Sequence, residues 1–197
     1  MQYRVMNTAG KYALCECTGY RLDSTETEPN MYVGIIINRS LADTTDSVTG
    51  LGDIHALVNA IGEMRRVARK ASLVAIKIDD IAKVNARFGF DAGDRVLAES
   101  AACLMDCSRG KGRLFRSTGP MFVALFDDLD PEETDTIAEE IERFLGSPVL
   151  FGSFEYQPPI RVATLHLDAV DRQPDSILNE LKALLEEAPQ VPGTKLD

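Results

Sequence analysis

Positive charge is scarce in this chain. Its 197 residues carry 21 lysines and arginines against 31 aspartates and glutamates, a formal net charge of −10 at pH 7. That deficit excludes broad electrostatic binding to nucleic-acid polymers or acidic lipid, although a local basic patch can still hold one anion. Long apolar runs are also lacking. None approaches the roughly 20 residues that a bilayer-spanning helix needs, and Met1-Gln2-Tyr3-Arg4 opens the chain without the apolar core of a signal peptide. Only two histidines occur, His55 and His166, and neither has a partner at metal-ligand spacing, so both read as structural or solvated. The four cysteines form no zinc or redox spacing. Cys15 and Cys17 lie two apart on an expected strand, and Cys103 and Cys107 lie four apart on an expected helix, so each pair shares a face. Reduced thiols packed like small apolar groups are expected, in a cytoplasmic protein. The chain contains no internal repeat and no low-complexity block.

What remains has the balance of an ordinary globular protein, 45% hydrophobic and 26% charged. Residues 1–40 read as three antiparallel strands: Tyr3–Met6, Lys11–Cys17 and Met31–Ile37, with a polar loop between the last two. Residues 41–52 are polar and turn-rich and read as a linker. A second domain is expected over 53–188, and Pro189, Pro192 and Gly193 mark 189–197 as a loose tail. Within that domain a helix carries Ile54, Leu57, Val58, Ile61, Met64 and Ala68 on one stripe, with Arg65, Arg66, Arg69 and Lys70 on a solvated face. From residue 73 the order reads strand, helix, helix, strand, strand, helix, strand, strand, helix. The fold class is therefore α+β: a mixed, mainly antiparallel sheet with helices packed mainly on one of its faces.

Three stretches carry a resemblance to a known family. Asp46-Ser47-Val48-Thr49-Gly50-Leu51 resembles the opening motif "DxLTGL" of the GGDEF domain, the catalytic module of bacterial diguanylate cyclases. Ile78-Asp79 through Asp94 resembles "DxDxFKxxNDxxGHxxGD". Arg116-Ser117-Thr118-Gly119-Pro120-Met121-Phe122 stands in the place of "RxGGDEF". All three occur in order over about 150 residues. The resemblance implies a palm-like nucleotide-cyclase fold and a chemistry in which two GTP molecules become cyclic di-GMP. The N-terminal run Val33-Gly34-Ile35-Ile36-Ile37-Asn38-Arg39-Ser40 similarly resembles the last strand of a PAS sensor domain. That likeness implies a partial sensor, the chain then being a piece or truncated form, with an N-terminal sheet extension as the alternative.

Phosphoryl transfer of this kind depends on metal ions that neutralise phosphate and activate a hydroxyl. The family's metals sit between the first Asp of "DxD" and an acid in the hairpin turn. Here those places fall on Lys77 and on Pro120 and Met121, while Thr118 replaces the first glycine beside Gly119, and Phe122 closes the degenerate motif. An ammonium and a thioether do not serve hard cations that take oxygen ligands. No catalytic residue, metal ligand or cofactor is therefore assigned, and magnesium is implied only if the domain is active. Asn85 and Asp94 hold the places that read the guanine edge in the family, the alternatives being a turn amide and a helix cap. Lys77 stands where its ammonium could meet a phosphate. Arg109 matches the arginine of the family's inhibitory "RxxD" site, whose aspartate is Gly112 here; the neighbouring Lys111 and Arg113 read as a solvated basic loop. Three functions stay open: a non-catalytic signalling domain that binds GTP or cyclic di-GMP, an active cyclase with unorthodox ligands, and a scaffold without nucleotide. The expected partner is a second copy or another signalling domain.

Overall fold

The computed structural model describes residues 2–6, 12–22, 31–38, 44–108, 110–117, 119–145, 148–151 and 154–195. They fall into two compact units, Met1–Asp43 and Thr44–Asp197. The first holds three strands, β1 (Gln2–Met6), β2 (Tyr12–Leu22) and β3 (Met31–Asn38). They form an antiparallel sheet in chain order, with Tyr3 opposite Cys15 and Gly19 opposite Gly34. The three-strand reading holds, although β2 runs on to Leu22.

The second unit contains α1 (Ile54–Arg66), β4 (Ala71–Ile78), α2 (Ile81–Phe88), α3 (Phe90–Ser108), β5 (Arg113–Arg116), β6 (Met121–Asp127), α4 (Pro131–Leu145), β7 (Val149–Phe151), β8 (Phe154–Tyr156), β9 (Ile160–Leu167) and α5 (Pro174–Glu187). Its main sheet has the order β5-β6-β4-β9, and every neighbouring pair is antiparallel. The segment expected as one strand near 148–155 is instead a small hairpin, β7 with β8.

The strand β4 shows why this sheet lies in the middle. Every residue from Ala71 to Ile76 is buried. Successive side chains point to opposite faces, so a continuous apolar run needs cover on both. Val74, Ile76 and Ile78 pack with Val96, Leu104 and Ile141 of α3 and α4. Leu73 and Ala75 pack with Leu57, Ile61, Leu181 and Leu185 of α1 and α5. The expectation of helices mainly on one face is thus corrected: the sheet is the middle layer of three. At roughly 25 cal/mol per Å² of apolar area, each buried Leu or Ile side chain contributes about 1.5–3 kcal/mol to holding those layers.

The supposed linker and tail are also built into this unit. Leu51 is buried, the Gly52 N–H donates to the Leu114 carbonyl (3.2 Å) and the Arg116 N–H donates to the Gly52 carbonyl (2.7 Å). A Cβ on Gly52 would stand 2.6 Å from the Phe115 ring, so only glycine lets the backbone lie so close to β5. At the other end Val191 exchanges hydrogen bonds with Ile160, and the Thr194 N–H donates to the Gln157 carbonyl. Composition made both segments look loose because polar, Pro- and Gly-rich residues also suit chain that is stitched down by backbone hydrogen bonds.

Candidate nucleotide site

Lys77 lies at the exposed end of β4, beside two partners on the sheet. Met121 of β6 faces it on one side and Arg161 of β9 on the other. Across the sheet the row therefore reads thioether, ammonium, guanidinium. Met121 is 6% exposed and belongs to the apolar core under α1 and α5. Two carboxylates answer the two cations. The Lys77 Nζ donates to Glu186 Oε1 of α5 at 2.8 Å and stands 3.9 Å from Asp79 Oδ1. Arg161 Nε donates to Asp79 Oδ2 at 3.2 Å, and its Nη1 donates to the Ala188 carbonyl at 2.7 Å. Gln190 Nε2 also donates to Asp79 Oδ2. Hydrogen bonding and the nearby charge of Lys77 hold the Glu186 carboxyl below its ordinary range. A pocket of about 240 Å³ opens here, lined by Lys77, Pro120, Met121, Lys182, Leu185 and Glu186.

Magnesium does not suit this arrangement. A divalent cation needs an excess of carboxylate oxygen. Lys77, Arg161, Asp79 and Glu186 carry two charges of each sign and already satisfy one another. Asp79 accepts from Arg161 and Gln190 through one oxygen. Among the described residues no group of three or more His, Cys, Asp or Glu side chains is placed to hold a metal. The residues do not fit the ion.

Asn85 and Asp94, the residues expected to read the base, lie elsewhere, on α2 and α3 where the two helices meet. Gly89, at φ +91°, separates the two helices. Gly93 is buried, and a Cβ there would stand 1.9 Å from Asn85 Oδ1. The amide therefore presses its oxygen onto glycine, where Oδ1 is buried without a hydrogen-bond partner. The Nδ2 is left as the amide's accessible end; oxygen and nitrogen are assigned here by the fit, as in any such amide. Asp94 is the fifth residue of α3, so it is not a helix cap, and it is exposed. Phe90, at the start of the same helix, is 79% exposed. An amide donor beside a free carboxylate offers the complement of guanine's O6 or N7 acceptors and its N1–H and N2–H donors.

A third feature escaped the sequence reading. Asp46 Oδ1 accepts from the Thr49 N–H (2.9 Å) and hydroxyl (2.7 Å). Arg116 Nη1 donates to both Asp46 oxygens at 3.0 and 3.1 Å, while its Nε donates to the Gly119 carbonyl at 2.8 Å. One arginine thus ties the opening motif to the hairpin turn, which Gly119 makes at φ +54°. Burial raises the Asp46 carboxyl, but the Thr49 and Arg116 hydrogen bonds outweigh it and hold the group below its ordinary value. The signal was there in an Asp and an Arg at the ends of two motifs, yet 70 residues separate them.

Thr118 and Arg109 lie outside the described residues. The flanking cations of the basic loop are paired rather than merely solvated: Lys111 with Glu133, and Arg113 with Asp127 at 3.1 Å. His166, expected to be structural or solvated, bridges Ser72 (2.9 Å) and Asp135 (3.1 Å).

The antiparallel sheet β5-β6-β4-β9, with helices packed on both faces, defines a domain of the nucleotide-cyclase fold class. Residues 43–149, more than half of the chain, match the family described as "Diguanylate cyclase, GGDEF domain". The chain belongs to the GGDEF family. It is 31% identical over 84 residues to the diguanylate cyclase DgcS of Shewanella oneidensis, covering 41% of this chain and 28% of that protein. It is 29% identical over 119 residues to the cyclic di-GMP phosphodiesterase PdeR of Escherichia coli, covering 59% and 18%. The chain thus spans less than a third of the length of the curated relatives it matches. The GGDEF domain of FimX from Pseudomonas aeruginosa superposes with a TM-score of 0.69 at 16% identity, over 75% of this chain and 94% of that one, a likeness of fold.

Proposed function

We propose that this domain is a catalytically inactive member of the cyclic di-GMP signalling family that acts by binding a guanine nucleotide without metal. The observation that carries the reading is the Lys77 ion pair. An ammonium tied to Glu186, with Met121 at its side, stands where phosphoryl transfer needs carboxylates around a cation. Asn85 and Asp94 support the choice of base: Nδ2 donates, the carboxylate accepts, and neither side chain has another partner among the described residues. Lys77 and Lys182 border the adjoining pocket and meet phosphate as point charges once Glu186 yields. The chain is similar both to a diguanylate cyclase, DgcS, and to a cyclic di-GMP phosphodiesterase, PdeR, which suits a domain that regulates as well as one that reacts.

The wider setting belongs to the same proposal. The N-terminal sheet is the end of a PAS-like sensor, the protein works in the cytoplasm, and its state passes to a second copy or an attached signalling domain. No helix of the described residues is long and apolar enough to cross a membrane.

The test is direct. Purified protein is incubated with GTP and magnesium or manganese, and separately titrated with GTP and ATP by calorimetry with and without magnesium. No cyclic di-GMP is expected, and GTP should bind in preference to ATP whether or not magnesium is present. Heat-labile product formation would overturn the inactive reading. GTP affinity unchanged in Asp94→Ala would overturn the base assignment.

A further inference from the structure

A cavity of the second unit has no part in that reading. It lies between α3 and α4, has a volume of about 490 Å³, and is lined by Glu99, Cys103, Asp106, Glu140, Phe144 and Leu145 among others. The α3 residues recur at spacings of three and four, so they form one face of that helix. The floor is apolar: Leu145 is buried and Phe144 is 46% exposed. Its wall carries the three carboxylates, Glu99 and Asp106 on exposed positions of α3 and Glu140 on α4. A groove of this kind takes an apolar knob surrounded by cations.

The same chain carries such a knob. In a protein of net charge −10, four of the six residues from 65 to 70 are cations: Arg65, Arg66, Arg69 and Lys70. All four are exposed. In their midst stands Val67, 62% exposed, one of the few large apolar side chains so open to water. It occupies the C-cap of α1, where the chain turns through Ala68 at φ +47°. The site proposed for nucleotide uses neither surface.

We propose that the domain associates head to tail with a second copy of itself, the cationic end of α1 seating Val67 in the acidic α3–α4 groove of its neighbour. Charge complementarity selects the occupant. The groove repels most of this acidic chain, and residues 65–70 are its densest run of cations. The two surfaces are different patches on one domain, so the contact is heterologous. Such a contact leaves one knob and one groove free at the ends and grows into longer chains or a ring. Exposed charge pairs dominate the rim, so the contact is weak and salt-sensitive.

Sedimentation of the full chain over a range of concentrations tests this. At low ionic strength the average mass should climb past that of a dimer as concentration rises. Association should weaken by roughly tenfold as ionic strength rises from about 0.02 M to about 0.5 M. Two charge-reversed variants sharpen the test: Glu99→Lys with Asp106→Lys, and Arg66→Glu with Arg69→Glu. Each alone should associate poorly, because one variant turns the groove positive against a positive knob and the other strips the knob of its net positive charge. An equal mixture of the two should associate again, as pairs, since the unaltered cationic knob of the first variant meets the unaltered acidic groove of the second. Val67→Asp, at an exposed position that the fold does not depend on, reads the same contact should a double variant not fold. Wild-type association in these variants, a folded mixture that stays monomeric, or a dimer indifferent to salt would each overturn the proposal. The last would point to the N-terminal sheet edge instead.

Discussion

Gly93→Ala should separate stability from nucleotide binding. A Cβ at residue 93 would stand 1.9 Å from Asn85 Oδ1 and 2.9 Å from its Cγ, so the amide must leave. Three contributions decide the outcome. Alanine inside a helix is favoured over glycine by about 0.5–1 kcal/mol. The displaced Oδ1, now buried without a partner, reaches water and recovers part of the about 1–3 kcal/mol that an unsatisfied buried group costs. Rotation of Asn85 into a poorer rotamer costs on the order of 0.5–1.5 kcal/mol. The sum runs from neutral to about 2 kcal/mol in favour of the variant, and each kcal/mol raises the melting temperature by roughly 2–4 °C at this chain length. Urea unfolding and a calorimetric GTP titration, run on the same preparations, read the two effects. The variant should be as stable as the wild type or more so, and should lose GTP. Destabilisation beyond about 1 kcal/mol would refute the argument by showing the amide anchored rather than orphaned. Undiminished GTP binding would refute the role of Asn85.

Other tests probe the remaining charges and thiols. Asp46→Asn removes the negative charge and one of the two oxygens that accept from Arg116, and should destabilise the domain by about 1–3 kcal/mol at neutral pH. The folded Asp46 carboxyl lies below its ordinary value of 3.8. Its contribution is therefore full above about pH 4 and lost as pH falls through the folded value, so wild type and variant should converge in acid unfolding; a constant gap would count against the pairing. Glu186→Gln frees Lys77 and should tighten metal-free GTP binding roughly two- to fivefold, the range of an exposed pair; weaker binding would mean that Lys77 does not meet phosphate. Burial, with Cys107 beside it, pushes the Cys103 thiol up to about 12. Alkylation of its peptide near about pH 8, followed by mass spectrometry, should accelerate by two to three orders of magnitude on unfolding, and equal rates would refute that environment.

Sequence alone determined most of the second unit. The apolar stripes of α1, α3, α4 and α5 were legible because a helix repeats its inward face every three to four residues. The three motifs, each altered, were legible because their spacing along the chain survived. The expectation that Lys77 and Met121 stand at the family's acid positions needed only that register, and pairing of β4 with β6 places the two side by side. Tertiary structure decided what those residues do. Glu186 is 109 residues from Lys77 and Arg161 is 82 from Asp79, and nothing local in sequence marks such partners. The unbroken apolar run of β4 calls for cover on both faces, but which helices supply it, α1 and α5 on one side and α3 and α4 on the other, is decided only by packing. Asn85 was visible as a motif residue, but its orphaned oxygen against Gly93 exists only because α2 and α3 close on each other. Sequence names the side chains a site can draw on, and long-range packing decides which of their charges are already spent on one another.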